Sequence, residues 1–278
     1  MAIIITKANG QQEEFDQTKL EDSLKRAGAN ANMVSEILET ITAELEEGMS
    51  TKEIYHNAFD LLKKHDTPIA ANYSIRRAVM ELGPSGFPFE KLIAEIFKEK
   101  GYETETGRKI QGGCTEHEID VLAFNEKELH LVEAKFHNSH GVKTDTKVAL
   151  YVKARYEDLK DSEIMVGEEK RKMTEGWLIT NTKFTRGAIQ YAECQLLKLV
   201  GWNYPQKDNL QDMIIETNLH PITILSLLSK AQKQILLEKD VILLKQIKQN
   251  PELLNMVGLS EEKKQKVLDE VHLVCVNH

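Results

Sequence analysis

The feature that most restricts the fold is a pair of apolar runs that carry charges in their interiors. Ile119-Asp120-Val121-Leu122-Ala123-Phe124 is separated from Leu129-His130-Leu131-Val132-Glu133-Ala134-Lys135-Phe136 by the polar stretch Asn125-Glu126-Lys127-Glu128. Such runs around a short polar loop predict a β-hairpin, whose register sets Asp120 opposite Glu133. The period of two then brings Lys135 to the same face. Opposed carboxylates destabilise a bare hairpin, whereas a divalent cation between them turns the repulsion into a binding site. Hard oxygen ligands, here Asp120, Glu133 and the Ala134 carbonyl, favour Mg²⁺ or Mn²⁺. A lysine beside the ion suits in-line hydrolysis of a phosphodiester, because it neutralises charge that develops on a phosphate oxygen. The alternative is a Glu133–Lys135 ion pair on a solvated strand face, with Asp120 merely ending a strand.

Upstream, Phe89, Leu92, Ile93, Ile96 and Phe97 recur at helical spacing, and Gly101 marks the helix end. A strand follows, leading through Gln111-Gly112-Gly113-Cys114 into the hairpin. This order of helix, strand, acid-bearing strand and E-x-K strand resembles the PD-(D/E)XK nuclease core, in particular the Mrr-type restriction endonuclease domain, over roughly residues 84–205. The resemblance implies a metal-dependent, restriction-type DNA endonuclease with a role in defence. It implies Asp120 and Glu133 as metal-binding acids, Lys135 as the catalytic lysine and Glu90 as an acid on the first helix. Double-stranded DNA is the expected substrate, and cutting both strands calls for a homodimer or higher homo-oligomer. Two other classes stay open: a nucleotide-controlled DNA-binding regulator on a silent nuclease fold, and an RNA-processing nuclease.

Downstream, Lys143, Lys147, Lys153, Arg155, Lys160, Lys170 and Arg171 lie among acids. One side of a helix there is expected either to follow a phosphate backbone or to be a solvated charged face. Gly176 to Asn181 reads as a buried strand with Trp177 in the core, and the segment from Thr182 opens a further helix.

The amino-terminal region differs in character. Ile3 to Lys7 predicts a strand, Asn9-Gly10 a hairpin turn and Glu13 to Asp16 its return. Four helices follow, the first marked by apolar positions 20, 24 and 27, the others near 34–45, 52–63 and from Pro68. With Lys7, the Phe15-Asp16 and Lys19-Leu20 spacing and the late Tyr73, Arg76 and Arg77, this pattern resembles the ATP-cone. The resemblance implies binding of ATP or dATP as a regulatory ligand, with Lys7 and Lys19 near the phosphates and Phe15 in the hairpin framework. Where that family usually carries a second basic residue, this chain has Ala8. No Walker-type glycine-rich loop is present, so energy-coupled hydrolysis is not expected.

The expected architecture is mixed α/β. It comprises a β-hairpin and helical ATP-cone at 1–83, a restriction-endonuclease-like α/β sandwich at 84–205 and a helical region at 206–278. In that last region Pro221 is expected near a helix start, the stretch from Leu253 to Leu259 as a turn, and Ser260 as a cap. His220 is read as structural. A net charge of −8 excludes a generally sticky nucleic-acid binder, so DNA contact requires a local basic surface. Three scattered cysteines exclude a disulfide framework or a zinc site. Without a signal peptide or a long apolar span, a cytoplasmic protein is expected, with no membrane contact.

Overall fold

The computed structural model describes residues 3–7, 10–139 and 141–275. A short antiparallel hairpin, β1 (Ile4–Thr6) and β2 (Gln12–Glu14), opens the chain with Ile5 opposite Glu13. Ala8 and Asn9, which sequence reading placed at its phosphate side and turn, lie outside the described residues. Four helices complete this unit: α1 (Gln17–Arg26), α2 (Ala31–Glu44), α3 (Thr51–His65) and α4 (Thr67–Met80). Each begins where a short polar side chain satisfies a free amide. Asp16, Asn30, Ser50 and Asp66 serve in turn, and Ser50 forms a reciprocal capping box with Glu53. Leu20, Leu24, Ile37, Ile41, Ala58 and Leu62 close a core of their own.

α5 (Phe87–Glu99) leads into β3 (Glu103–Gln111), β4 (Glu116–Phe124) and β5 (Leu129–Lys135). The β4–β5 hairpin has the register expected from the sequence, with Val121 opposite Val132 and Phe124 opposite Leu129. Asn125 builds the turn by accepting from the amides of Lys127 and Glu128 at 2.9 and 3.0 Å. Next come β6 (Lys143–Thr144), α6 (Thr146–Leu159), a small hairpin of β7 (Ile164–Val166) and β8 (Glu169–Arg171), then β9 (Glu175–Thr180). β10 (Lys183–Phe184), α7 (Arg186–Cys194) and β11 (Lys198–Val200) finish the domain. The main sheet runs β11-β9-β5-β4-β3, with β9 parallel to both β5 and β11 and the rest antiparallel.

Strand alternation sorts the side chains into two layers. Val121, Ala123, Val132, Ala134 and Ile179 face α5, while Leu122, Phe124, Leu129, Leu131 and Leu178 face α6 and α7. The carboxy-terminal helices α8 (Leu210–Glu216), α9 (Lys230–Glu238), α10 (Leu244–Gln249) and α11 (Glu261–Cys275) pack into the α5 layer. α4 contributes Ile75, Val79 and Leu82 just beyond its end to that same layer, and Ala70 to the amino-terminal core. One helix therefore belongs to both cores.

Two expectations for the last region are corrected. After Pro221 the chain makes only a single 3-10 turn, Ile222–Ile224, before α9. Its backbone is drawn into tertiary bonds, Ile222 N to Ile242 O at 2.7 Å and Leu244 N to His220 O at 2.9 Å. Residues 251–257 form a 3-10 helix rather than an open turn. Ser260 accepts from the Lys263 amide at 3.3 Å, in the capping role expected of it.

Candidate active site

β4 enters the sheet under restraint from α6. The Asp158 carboxylate accepts from the Cys114 and Thr115 amides at 2.8 and 3.3 Å and meets His117 Nε2 at 2.7 Å. These bonds hold the Asp158 carboxyl down at about 2, with His117 the largest influence. Gly112 is required here, because a Cβ would lie 2.2 Å from Asp158 Oδ2. The strand that carries Glu118 and Asp120 thus starts from a fixed point.

The pairing ends at Val121–Val132, and one step beyond it on the two strands stand Asp120 and Glu133, close enough for their charges to act on each other. Both side chains are half-buried on the α6 side, and Lys135, two residues on, is exposed. Asp120 Oδ2 accepts from the Ala134 amide at 2.8 Å, which locks the two strands where they would otherwise part. The structure thus ties Ala134 to the site through its N–H. Burial raises the Asp120 carboxyl above its usual range, while the Ala134 amide and Arg155 oppose that rise. Burial and the Asp120 charge lift Glu133 to about 7 against the pull of Arg155 and Lys135.

Glu90, in the first turn of α5, belongs to the same electrostatic unit. Its carboxyl rises to about 7 through burial, then through repulsion from Asp120 and Glu133. Its Oε1 folds back over Gly86, 3.1 Å from where a Cβ would stand. The segment after Lys135 is fixed by a hydroxyl chain: His137 Nε2 meets Thr144 Oγ1 at 3.0 Å, Thr144 Oγ1 donates to Thr180 Oγ1 at 3.0 Å, and Thr180 meets Thr182 at 3.2 Å. Burial and the Lys135 charge lower the His137 pKa.

Arg155 is the residue that sequence reading misplaced. It is 6% exposed and donates to Glu133 Oε2 and to the Glu118 carbonyl, with its plane over the Tyr151 ring at 5.4 Å. Its Nε is buried with no hydrogen-bond partner among the described residues. The signal was present in the sequence, because Ala149, Val152, Arg155 and Leu159 form the buried stripe of α6. Most of the other basic residues of this stretch are neutralised: Lys153 and Lys160 by Glu157, Lys170 by Glu163, Arg171 by Glu169. The expected phosphate-tracking face is therefore reduced to Lys147 on α6, with Lys143 on β6 before it. Trp177 packs edge-on to Phe97 at 5.6 Å, a core role as expected.

A divalent ion fits the donor set. Burial disfavours the charged forms of these two half-buried carboxylates even with Arg155 on Glu133, and Mg²⁺ is commonly held by one or two carboxylates plus waters. Among the described residues no cluster of three or more His, Cys, Asp or Glu ligands exists.

In the amino-terminal unit, Lys7 and Lys19 converge on Glu13 at 2.5 and 3.5 Å, and Lys19 also lies 3.8 Å from Asp16. The Lys7 bond chiefly holds the Glu13 carboxyl below its ordinary range. Beside them is a cavity of about 180 Å³ lined by Phe15, Lys19, Thr51, Tyr55 and Tyr73 among others. Tyr55 and Tyr73 stack at 5.2 Å with an interplanar angle of 11°.

Comparison with known proteins finds three matches, in order along the chain. An ATP cone domain model matches residues 3–81, a restriction endonuclease (Mrr catalytic) model matches 83–206, and an AF1548-like C-terminal model matches 220–275. A protein of Archaeoglobus fulgidus, described as uncharacterized, is 36% identical over 182 residues, 66% of this chain and 99% of its own length. The chain belongs to the AF1548-like family. The crystal structure of AF1548, described as a protein of unknown function, has 33% sequence identity with a TM-score of 0.56, over 70% of this chain and all of its own. This AF1548-like chain joins a nucleotide-type cone to a nuclease-type domain. No helix among its described residues is long and apolar enough to cross a membrane.

Proposed function

We propose that the protein is a metal-dependent DNA endonuclease of restriction type whose activity responds to ATP or dATP at the cone. The observation that carries this reading is the grouping of Asp120, Glu133 and Lys135 where the pairing of β4 with β5 ends, inside a domain that matches a restriction endonuclease model. Asp120 and Glu133 would hold Mg²⁺ or Mn²⁺, with the Ala134 carbonyl as a further oxygen. When bound, the ion supplies Lewis-acid stabilisation and lowers the pKa of a water. Lys135 places its ammonium against a non-bridging oxygen of the scissile phosphate and offsets the charge that grows there. Glu90, half-buried beside the two acids, would take up a proton from the attacking water. Double-stranded DNA is the proposed substrate, with the protein acting in the cytoplasm as a homodimer or larger homo-oligomer.

In the cone, Lys19 and Phe15 border the cavity and Lys7 sits one ion pair away through Glu13. The phosphates of ATP or dATP would draw both lysines off Glu13. Titration calorimetry with Mn²⁺ on the wild type and on Asp120→Asn and Glu133→Gln, paired with cleavage of a duplex, tests the site. Loss of metal binding and of cleavage in both variants is expected. Unchanged metal binding in either overturns its assignment.

A second reading rests on Arg155. Its guanidinium already neutralises Glu133, as suits a nucleotide-controlled DNA-binding regulator that no longer cuts. Duplex binding without cleavage under any metal or nucleotide condition would select it.

A further inference from the structure

α4 presents one stripe to the seam between the cone and the nuclease domain. Asn72, Arg76 and Met80 are spaced by four residues and lie along one face of the helix. Asn72 Nδ2 donates to the Ala27 carbonyl at 3.2 Å, which ties this stripe to the end of α1 beside Arg26. At the other end, Asn181 Nδ2 donates to Met80 Sδ at 3.1 Å and to the His137 carbonyl at 2.9 Å. Arg76 therefore stands between the end of α1 and the strand that continues into β10. There Lys183 is paired with Lys143 of β6 across a parallel two-stranded ladder. Four cations from two domains face one seam.

None of the four has an acidic partner among the described residues, in a chain whose net charge is −8. Elsewhere the acids find the cations, as they do for Lys153, Lys160, Lys170 and Arg171. At the seam Lys183 feels the crowding: burial, then the charges of Arg76, Lys143, Arg26 and Lys19, lower its pKa. Like charges set opposite one another on adjacent strands are destabilising unless an anion joins them. The cluster also lies close to the candidate chemistry. Lys135 is paired with Thr180, and Lys183 follows Thr180 by three residues, at most about 10 Å of chain.

We propose that this seam binds the phosphate backbone of duplex DNA through Arg26 and Arg76 of the cone together with Lys143 and Lys183 of the nuclease domain. The cone is then part of the substrate surface as well as the seat of the nucleotide. None of the four side chains lines the cone's cavity, and two of them belong to the other domain. They match an anion that extends beyond the cone. The inference rests on the reading of the protein as a DNA-acting enzyme and adds a surface to it.

The test measures binding of a fluorescent duplex by anisotropy across a salt series, without divalent metal, using the full chain in the Lys135→Ala background. Two double variants are compared with that parent: Arg26→Gln with Arg76→Gln, and Lys143→Gln with Lys183→Gln. Each contact to phosphate contributes about 0.9 to the slope of log affinity against log salt. Each double variant is expected to weaken binding at least tenfold and to flatten the slope by about two, with a melting temperature no lower than the parent's. If the cone pair leaves affinity and slope at the parental values, the proposal is overturned and the DNA surface ends at the nuclease domain. It is likewise overturned if the cone pair abolishes ATP binding while DNA affinity holds, because the arginines then serve the nucleotide. If both pairs weaken binding while the wild type cleaves nothing with Mg²⁺ or Mn²⁺, the surface stands and the nuclease reading falls.

Discussion

Arg155 of α6 donates to the Glu133 carboxylate of β5 from a position 6% exposed to solvent. The same guanidinium reaches the Glu118 carbonyl of β4, so one side chain spans both strands that carry the candidate acids. Without a metal, this cation is what makes two facing carboxylates tolerable in the fold.

Truncating one member of a buried pair leaves the other charge uncompensated, at a cost of about 3–5 kcal/mol. Arg155→Ala is accordingly expected to lower stability by about 3 kcal/mol in metal-free urea unfolding. Adding Glu133→Gln should recover part of that loss, since the orphaned acid is then neutral. A fully additive double variant would contradict the pairing.

The cone makes a separate prediction. Lys19 borders the cavity and shares Glu13 with Lys7. Lys19→Ala removes one charge-assisted contact to phosphate, about 1.5–3 kcal/mol, and should weaken ATP binding by roughly tenfold or more. Calorimetric titration with ATP reads this directly, and an unchanged Kd would place the nucleotide elsewhere.

His130 is 1% exposed, flanked by Tyr102 at 5.1 Å and Trp177 at 5.8 Å between ring centres. Burial lowers its pKa, against the raising influence of Glu175 and Glu128. Because the folded pKa lies below the unfolded value, the unfolded chain binds the extra proton first as pH falls. Stability from the neutral ring is therefore fully present above about pH 6.5 and is lost as pH drops through the folded pKa. The melting temperature of the wild type should fall more between pH 7 and pH 5 than that of His130→Gln. Parallel profiles would show that the ring does not titrate on unfolding.

Asn181 is 1% exposed and joins three elements. It accepts from the His137 amide at 2.8 Å and donates to the His137 carbonyl and to Met80. Asn181→Ala removes both partners of the half-buried His137 amide and carbonyl, so a loss of about 1–3 kcal/mol is expected in chemical denaturation. A change below about 0.5 kcal/mol, typical of surface positions, would mean that solvent reaches the seam.

Much of this architecture was legible in the chain. The β4–β5 hairpin was readable because period-two alternation fixes register locally, and Asn125 supplies a recognisable turn. Cone helices were marked by repeating apolar positions. Arg155 was hidden because a basic residue within a charged segment looks solvated, although its helical phase with Val152 and Leu159 points inward. The neutralisation of Lys153 and Lys160 by Glu157 lies in i,i+4 and i,i+3 spacing and was open to the same phase argument. The region after Pro221 was beyond local reasoning. Its backbone bonds go to Ile242 and the chain at Leu244, some twenty residues away, and such partners leave no periodic trace. Likewise, the cationic seam joins Arg26 to Lys183 through tertiary packing alone.

The most direct measurement is cleavage of supercoiled plasmid, methylated and unmethylated, by the wild type and by Lys135→Ala, with Mg²⁺ or Mn²⁺ and with or without ATP and dATP. Cleavage by the wild type that depends on metal, shifts with nucleotide and disappears in the variant, while gel shift shows DNA still bound, is the predicted result. Equal cleavage by the variant, or none by the wild type in any condition, would contradict a nuclease built on Asp120, Glu133 and Lys135.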